Sequence, residues 1–111
     1  MASIRSKSLA SDSANVTSHT ASMPTHLVND LLLWCVVKDG TGGAAMTTPA
    51  GWTAIVLGND TSNGCRVGVF WRIATVSNTA APTTTNTSGD AWISTMLAIK
   101  NANTADPIDL V

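Results

Sequence analysis

The pattern of apolar and polar positions divides the chain into short extended segments separated by clusters of turn-forming residues. Apolar residues run without interruption through residues 31–37, whereas residues 65–74 and 91–100 alternate. Continuous apolarity indicates a strand covered on both faces, and alternation indicates a strand with one covered face. Shorter strand candidates lie at residues 15–20, 54–57 and 83–87. Because no segment shows helical periodicity over three turns, the pattern predicts six to eight short strands.

The two alternating segments also predict which side chains face the core. Strand residues two apart point to the same side, so the more apolar set of each segment is expected to face inward. Arg66 and Arg72 are then expected to point outward, as are Trp92 and Ser94. The expected inward sets are Cys65, Val67, Val69, Trp71 and Ile73 in the first segment, and Ile93, Leu97 and Ile99 in the second.

Composition supports an all-β fold of one domain. The 111 residues contain no Glu and no Gln, which favour helices, but 16 Thr, 11 Ser, 8 Asn and 8 Gly, which favour strands and turns. Short strands at this spacing are typical of a sandwich or barrel. The sequence therefore predicts an antiparallel β-sandwich, jelly-roll-like, over residues 15–111.

Residues 1–14 are predicted to form an N-terminal arm. They are small and polar, and Ile4 and Leu9 are their large apolar side chains. Such a segment is expected to become ordered by adding a strand to a partner, with Ile4 and Leu9 in contact with it. No apolar stretch follows the basic residues at the start, and the longest apolar run, residues 31–37, is too short to span a bilayer. We therefore expect cytoplasmic synthesis and no membrane partner.

Residue types that carry catalysis or bind metals are sparse. His19 and His26 are the candidate bases near neutral pH, and they are expected to be ordinary surface or half-buried histidines without a nearby aspartate. Cys35 and Cys65 lie inside apolar strand patterns and are expected to be buried, reduced thiols, with a disulfide between them as the alternative. The polar run at residues 59–63 offers one carboxylate, too few for a calcium site. No catalytic residue, metal or cofactor is predicted.

The four tryptophans are the remaining candidates for binding. Trp34 and Trp71 lie in apolar strands and are expected in the core, whereas Trp52 follows a turn and Trp92 opens a strand on its polar side. Exposed indoles stack on sugars, so Trp52 and Trp92 are the candidate contacts for a ligand or partner. The formal net charge of −1 argues against nucleic-acid binding.

The order of short motifs resembles a β-sandwich module of tailed-phage virion proteins. The residues that carry the resemblance are Ile4-Arg5-Ser6, Asp30-Leu31-Leu32-Leu33, Pro49-Ala50-Gly51-Trp52-Thr53, Trp71-Arg72-Ile73-Ala74 and Pro107-Ile108-Asp109. The resemblance covers nearly the whole chain and implies a virion component that decorates or cements the capsid or belongs to a tail appendage. It carries over no catalytic residue. It implies other virion proteins as partners. For such a component we expect synthesis in the host cytoplasm and a homo-oligomer, with a trimer favoured.

A second function stays open from the sequence. Trp52 and Trp92 could form a carbohydrate-binding or host-adhesion module that recognises a glycan of the host surface. The protection of both indoles from solvent is the observation that separates the two functions.

Overall fold

The computed structural model of the chain describes residues 1–40, 45–60 and 64–108. In these residues it contains five strands and no helix. The strands are β1 (Ser3–Thr20), β2 (Leu31–Asp39), β3 (Thr53–Asp60), β4 (Cys65–Ile73) and β5 (Thr83–Lys100). They form one sheet in the order β1-β5-β2-β4-β3, with each neighbouring pair antiparallel. The all-β, antiparallel prediction is confirmed, whereas the two-layer sandwich stays a prediction.

The strand count is lower than predicted because β5 joins two predicted strands, residues 83–87 and 91–100. β5 has 18 residues and passes through residues 88–90, which the sequence predicts to be a turn. β1 likewise continues from the predicted arm into residues 15–20. Their ladder shifts register between Asp12 and Val16 and again between Val16 and Ser18. Such irregularities bend a strand without ending it, so turn-forming residues are accommodated inside the long strands.

Residues 3–14, assigned to a separate arm from the sequence, lie within β1 and pair with β5 of the same chain. The pairing runs from Ser3 opposite Lys100 to Asp12 opposite Trp92. Backbone hydrogen bonds form this ladder, so polar side chains are compatible with it at a sheet edge. Arg5 attaches the strand to the loop before β2, because its Nε lies 2.6 Å from Oδ2 of Asp30.

The core lies on one side of the sheet, called here the inner face. Its centre is Trp34 of β2, which is fully buried. The Trp34 ring lies 5.5 Å from that of Phe70 and 6.5 Å from that of Trp52, measured between centroids. His19, in the second half of β1, stacks on Trp34 with centroids 6.2 Å apart, so this half of the strand lies over the inner face. The main buried apolar residues of the core are Leu32, Trp34, Val36, Met46, Trp52, Phe70, Ala74, Trp92, Met96 and Ala98.

The facing of β4 and β5 is the reverse of the sequence prediction. In β4 Phe70 is fully buried, whereas Val69 and Trp71 on the other side are only half-buried. In β5 Trp92 is 2% exposed and Ile93 is 58% exposed. β4 has an aromatic side chain on each side, Phe70 inward and Trp71 outward. Aromatic side chains bury about 150–250 Å² each, and the inner face collects the other three tryptophans, Trp34, Trp52 and Trp92, so that face became the core. The predicted inward sets therefore lie on the opposite side of the sheet.

A buried lysine lies at one end of the inner face. Lys38 is fully buried, and its Nζ lies 2.7 Å from Oδ2 of Asp90 and 3.1 Å from Oγ of Ser88. It also donates to the carbonyl of Asp39 at 3.1 Å. A buried ammonium is tolerated when it is paired and hydrogen-bonded, so Asp90 holds Lys38 in the fold.

Candidate interaction face

The other side of the sheet, called here the outer face, is a continuous apolar surface. Residues directly opposite each other in an antiparallel pair share a face. Around Cys35 of β2, Val69 of β4 and Thr95 of β5 lie in register, and Leu9 of β1 lies opposite Thr95. The outer face comprises Leu9, Leu33, Cys35, Val37, Val56, Val67, Val69, Trp71, Ile93, Thr95 and Leu97.

Much of this apolar area is open to solvent. Leu9 is 70% exposed, Ile93 58% and Val37 37%. Lys7, opposite Leu97, is the charged residue in the three central rows of the face, which cross β2 at Leu33, Cys35 and Val37. Contiguous exposed apolar surface of this kind marks sites of protein–protein contact.

Two shallow hollows indent the outer face, one on each side of Ile93. Each has a volume of about 220 Å³. The first lies between Ile93 and Cys65 and is also lined by Asp39, and the second lies between Ile93 and Leu9 and has no charged lining residue. Val37 lines both hollows. Ile93 therefore stands as a ridge between two recesses large enough for a branched aliphatic side chain.

Both cysteines are free thiols in the structure, and each is half-buried rather than buried as expected. Cys35 is half-buried near the middle of the outer face and lines the second hollow, and Cys65 is half-buried near the rim. Burial raises the pKa of the Cys35 thiol, because the thiolate is poorly solvated there. Cys35 is therefore a weak nucleophile whose reactivity reports on coverage of the face.

The four residues predicted as partner contacts fall into two groups. Ile4 is 60% exposed and Leu9 is 70% exposed, so both are available for contact. Trp52 and Trp92 are 8% and 2% exposed, and neither presents an open ring for a ligand to stack on. The Trp92 indole N–H donates to the carbonyl of Val16 at 2.8 Å, which fixes the ring inside the core.

The structure also brings together an aspartate, a histidine and a serine, contrary to the expectation that His19 has no nearby aspartate. Nδ1 of His19 lies 2.5 Å from Oδ2 of Asp12, and Nε2 lies 2.8 Å from Oγ of Ser94. A carboxylate only accepts hydrogen bonds, so Nδ1 carries a proton, and in the neutral ring Nε2 accepts from the Ser94 hydroxyl. The residues are arranged as in a nucleophilic triad.

The surroundings of this array do not provide access for a substrate. His19 is 1% exposed and Ser94 is 4% exposed. The imidazole lies between the indoles of Trp34 and Trp92, with centroids 6.2 and 5.8 Å away. A nucleophilic serine must reach a substrate carbonyl, and here its hydroxyl faces the packed core. The arrangement is suited to connecting β1 and β5.

His26 has a comparable structural environment. Its Nδ1 lies 2.8 Å from the carbonyl of Pro24, and its Nε2 accepts from the backbone N–H of Thr79 at 3.1 Å. These partners require a proton on Nδ1 and none on Nε2. The ring is buried and links the loop before β2 to the loop after β4. Sequence alone does not reveal this contact, because 53 positions separate His26 from Thr79.

The loop between β1 and β2 contains a charge pair that attaches it to the sheet edge. Arg5 reaches both carboxylate oxygens of Asp30, at 2.6 and 3.1 Å, and Asp30 also accepts from the Leu27 N–H at 2.9 Å. The hydrogen bonds from Arg5 lower the pKa of Asp30, and the same contact raises the pKa of Arg5.

Within residues 1–40, 45–60 and 64–108, no group of three or more metal-binding side chains comes together, and no helix is long and apolar enough to cross a membrane. The polar run at residues 59–63 lies mostly outside the described residues.

Comparisons with known proteins leave the family open. No family model and no curated protein matches the sequence. Among solved structures, the chain is similar to one from the tripod of the baseplate of bacteriophage Tuc2009, with 14% identity and a TM-score of 0.47. The match covers 84% of this chain and 63% of that one, so this chain spans less than two-thirds of its length. A similarity of this size does not assign a family or a function.

Proposed function

We propose that this chain is a non-enzymatic structural module of a phage virion, which acts by binding other copies and other virion proteins. The observation that carries the proposal is the apolar outer face, open to solvent at Leu9, Val37 and Ile93. A small domain that leaves such a face uncovered loses the burial free energy of that area, about 25 cal/mol per Å². Association with a partner recovers it.

The virion assignment rests on the motif order described above, from Ile4-Arg5-Ser6 to Pro107-Ile108-Asp109. In the virion, we propose that the chain decorates or cements the capsid or forms part of a tail appendage. We propose a homo-oligomer with other virion proteins as neighbours. The glycan-binding alternative has lost support, because the rings of Trp52 and Trp92 are buried.

The proposal includes the absence of catalytic activity. The one array that resembles catalytic machinery in the described residues is Asp12, His19 and Ser94, and its serine hydroxyl is enclosed. A Ser94→Ala variant is expected to alter stability and leave assembly competence otherwise unchanged. Hydrolysis of a generic ester by the wild-type protein that disappears in Ser94→Ala would contradict the proposal.

The virion role is tested on particles of the phage or prophage that encodes the chain. Gradient-purified virions are analysed by mass spectrometry, and an antibody against the chain is located by immunogold electron microscopy. We expect a constant number of copies per particle, with label on the capsid or on the tail, which also separates those two locations. Absence of the chain from purified virions would refute the role.

A further inference from the structure

We propose that the outer face is covered by the same face of a second copy, so that the chain forms a two-fold dimer. The inference deepens the proposed function and rests on its premise that the chain acts by association. It names the first partner, a second copy of this chain, and the surface that binds it. A face that pairs with itself closes at two copies, whereas the sequence analysis favours a trimer.

The shape of the face is self-complementary. Ile93 projects between two hollows of about 220 Å³ each. In a two-fold pairing, Ile93 of each copy enters a hollow beside Ile93 of the other copy. The two insertions are reciprocal, which is the requirement for an interface formed by one surface on both subunits. Val37, which lines both hollows, contacts the inserted side chain.

The size of the face is about two-thirds of that of a standard interface. Leu31, at one end of β2, is buried within the chain, so the open part of the face runs along the seven residues from Leu33 to Asp39. Five strands about 4.8 Å apart and about 3.3 Å per residue along these seven residues give a footprint of roughly 550 Å². Standard interfaces bury about 800 Å² on each partner, and packed β-sheet faces lie about 10 Å apart. The outer face thus provides most of the contact area that a dimer needs.

The charge of the face favours a second copy over a lipid or nucleic-acid surface. Those surfaces are recognised by clusters of lysine and arginine, and the three central rows contain Lys7 at the β1 edge and no arginine. The formal net charge of the whole chain is −1, so two copies repel each other weakly. Asp39 lines the first hollow, whereas no charged residue lines the second, so Ile93 of the other copy is expected to enter the second hollow, where its insertion leaves no buried charge unpaired.

The inference is tested by light scattering coupled to size-exclusion chromatography over a range of concentrations. We expect the wild-type chain to have the mass of two copies and Ile93→Asp to have the mass of one, with a dissociation constant raised at least about a hundredfold. Val76→Asp is the matched control, because Val76 is an exposed apolar residue outside the sheet, and it is expected to remain a dimer. Leu9→Asp, at a still more exposed position of the face, provides a second disruptive variant.

Circular dichroism verifies that each variant is folded. A wild-type monomer at about millimolar concentration, a mass of three copies, or a dimer that persists in both Ile93→Asp and Leu9→Asp would overturn the two-fold pairing.

The reactivity of Cys35 tests the same face independently. In a Cys65→Ser background, the dimer should shield Cys35 from a maleimide, and Ile93→Asp should raise its labelling rate at least about tenfold. Equal rates in the two proteins would contradict coverage of the outer face. These assays use the isolated protein, so they are independent of the virion experiment. If the isolated protein is a dimer but the chain is absent from virions, only the virion role is refuted. If the chain is present in virions but the isolated protein is a monomer, only the dimer is refuted.

Discussion

Replacing His19 with alanine removes the side chain that connects β1 to the centre of the core. The imidazole stacks between Trp34 and Trp92 and accepts a hydrogen bond from the buried hydroxyl of Ser94. Its other nitrogen donates to Asp12, which is partly exposed and can be solvated when the ring is absent. The variant therefore leaves Ser94 without its imidazole partner and opens a space between two indoles.

The size of the effect follows from these contacts. A buried hydroxyl left without a partner costs about 1–3 kcal/mol, and each ring contact contributes about 0.5–1.5 kcal/mol. Together they lower the free energy of unfolding by about 3 kcal/mol. Domains of this size have a total of about 5–15 kcal/mol, so His19→Ala is expected to fold but to melt roughly 10 °C or more below the wild type.

Urea denaturation followed by tryptophan fluorescence measures the change. Trp34 and Trp92 are both buried against the imidazole, so the emission of the folded variant should also shift to longer wavelength. Thr17→Ala, at an exposed position of the same strand, is the control and should change the unfolding free energy by less than about 0.5 kcal/mol.

A double-mutant cycle isolates the hydrogen bond. Ser94→Ala in the His19→Ala background removes the stranded hydroxyl, so the double variant should be about 1–2 kcal/mol more stable than the two single effects predict. Two observations would refute the reasoning: a His19→Ala protein within about 0.5 kcal/mol of the wild type, or strictly additive effects in the cycle.

Three further predictions concern charge and packing. The folded pKa of Asp30 lies below its unfolded value of about 4, so the stability that Asp30 contributes is present above that value and is lost as the pH falls through the folded pKa. Asp30→Asn should therefore reduce the loss of unfolding free energy at acid pH, as measured by urea titrations at several pH values. An unchanged loss would contradict the assignment. Asp90→Ala leaves the fully buried Lys38 without its carboxylate and should lower the free energy of unfolding by about 3 kcal/mol, as measured by thermal denaturation. A decrease below about 1 kcal/mol would show that the remaining oxygen acceptors are sufficient. A methyl group on Gly68 would lie 2.8 Å from Cε2 of the Phe70 ring, so calorimetry should show that Gly68→Ala is destabilised by about 1–3 kcal/mol. Gly58→Ala is the control and should be nearly unchanged, because the nearest atom to its methyl group would be 3.7 Å away. Equal effects of the two substitutions would contradict a steric clash at Gly68.

The interaction face was only partly predictable. The uninterrupted apolar run at residues 31–37 predicts a strand covered on both sides, and the structure covers one side fully but the other only at Leu31, leaving Val37 37% exposed. The sequence predicts Leu9 as a contact residue because it is a large apolar side chain in a polar segment. It places Ile93 in the core, since alternation groups residues by side without stating which side is buried. The sequence feature that corresponds to the face is therefore the second apolar side of β2.

The array of Asp12, His19 and Ser94 had no comparable signal. His19 and Ser94 are 75 positions apart, and Asp12 meets His19 across register shifts in β1 that no sequence pattern marks. Contacts between distant strands depend on strand order and on the bend of β1 and β5. Those properties follow from packing of the whole chain.

The amino-acid sequence alone determines the all-β class and the central place of Trp34. It also determines the positions of the strands at residues 31–37, 65–74 and 91–100. Each of these depends on local preference and on side-chain size. The tertiary structure decided that β5 passes through residues 88–90 and which face of β4 and β5 is buried. Both sides of these strands carry apolar residues, and the free energy of burial depends on the total area that all the strands bring together. That sum favoured the side with Phe70 and Trp92 and left Ile93 on the surface.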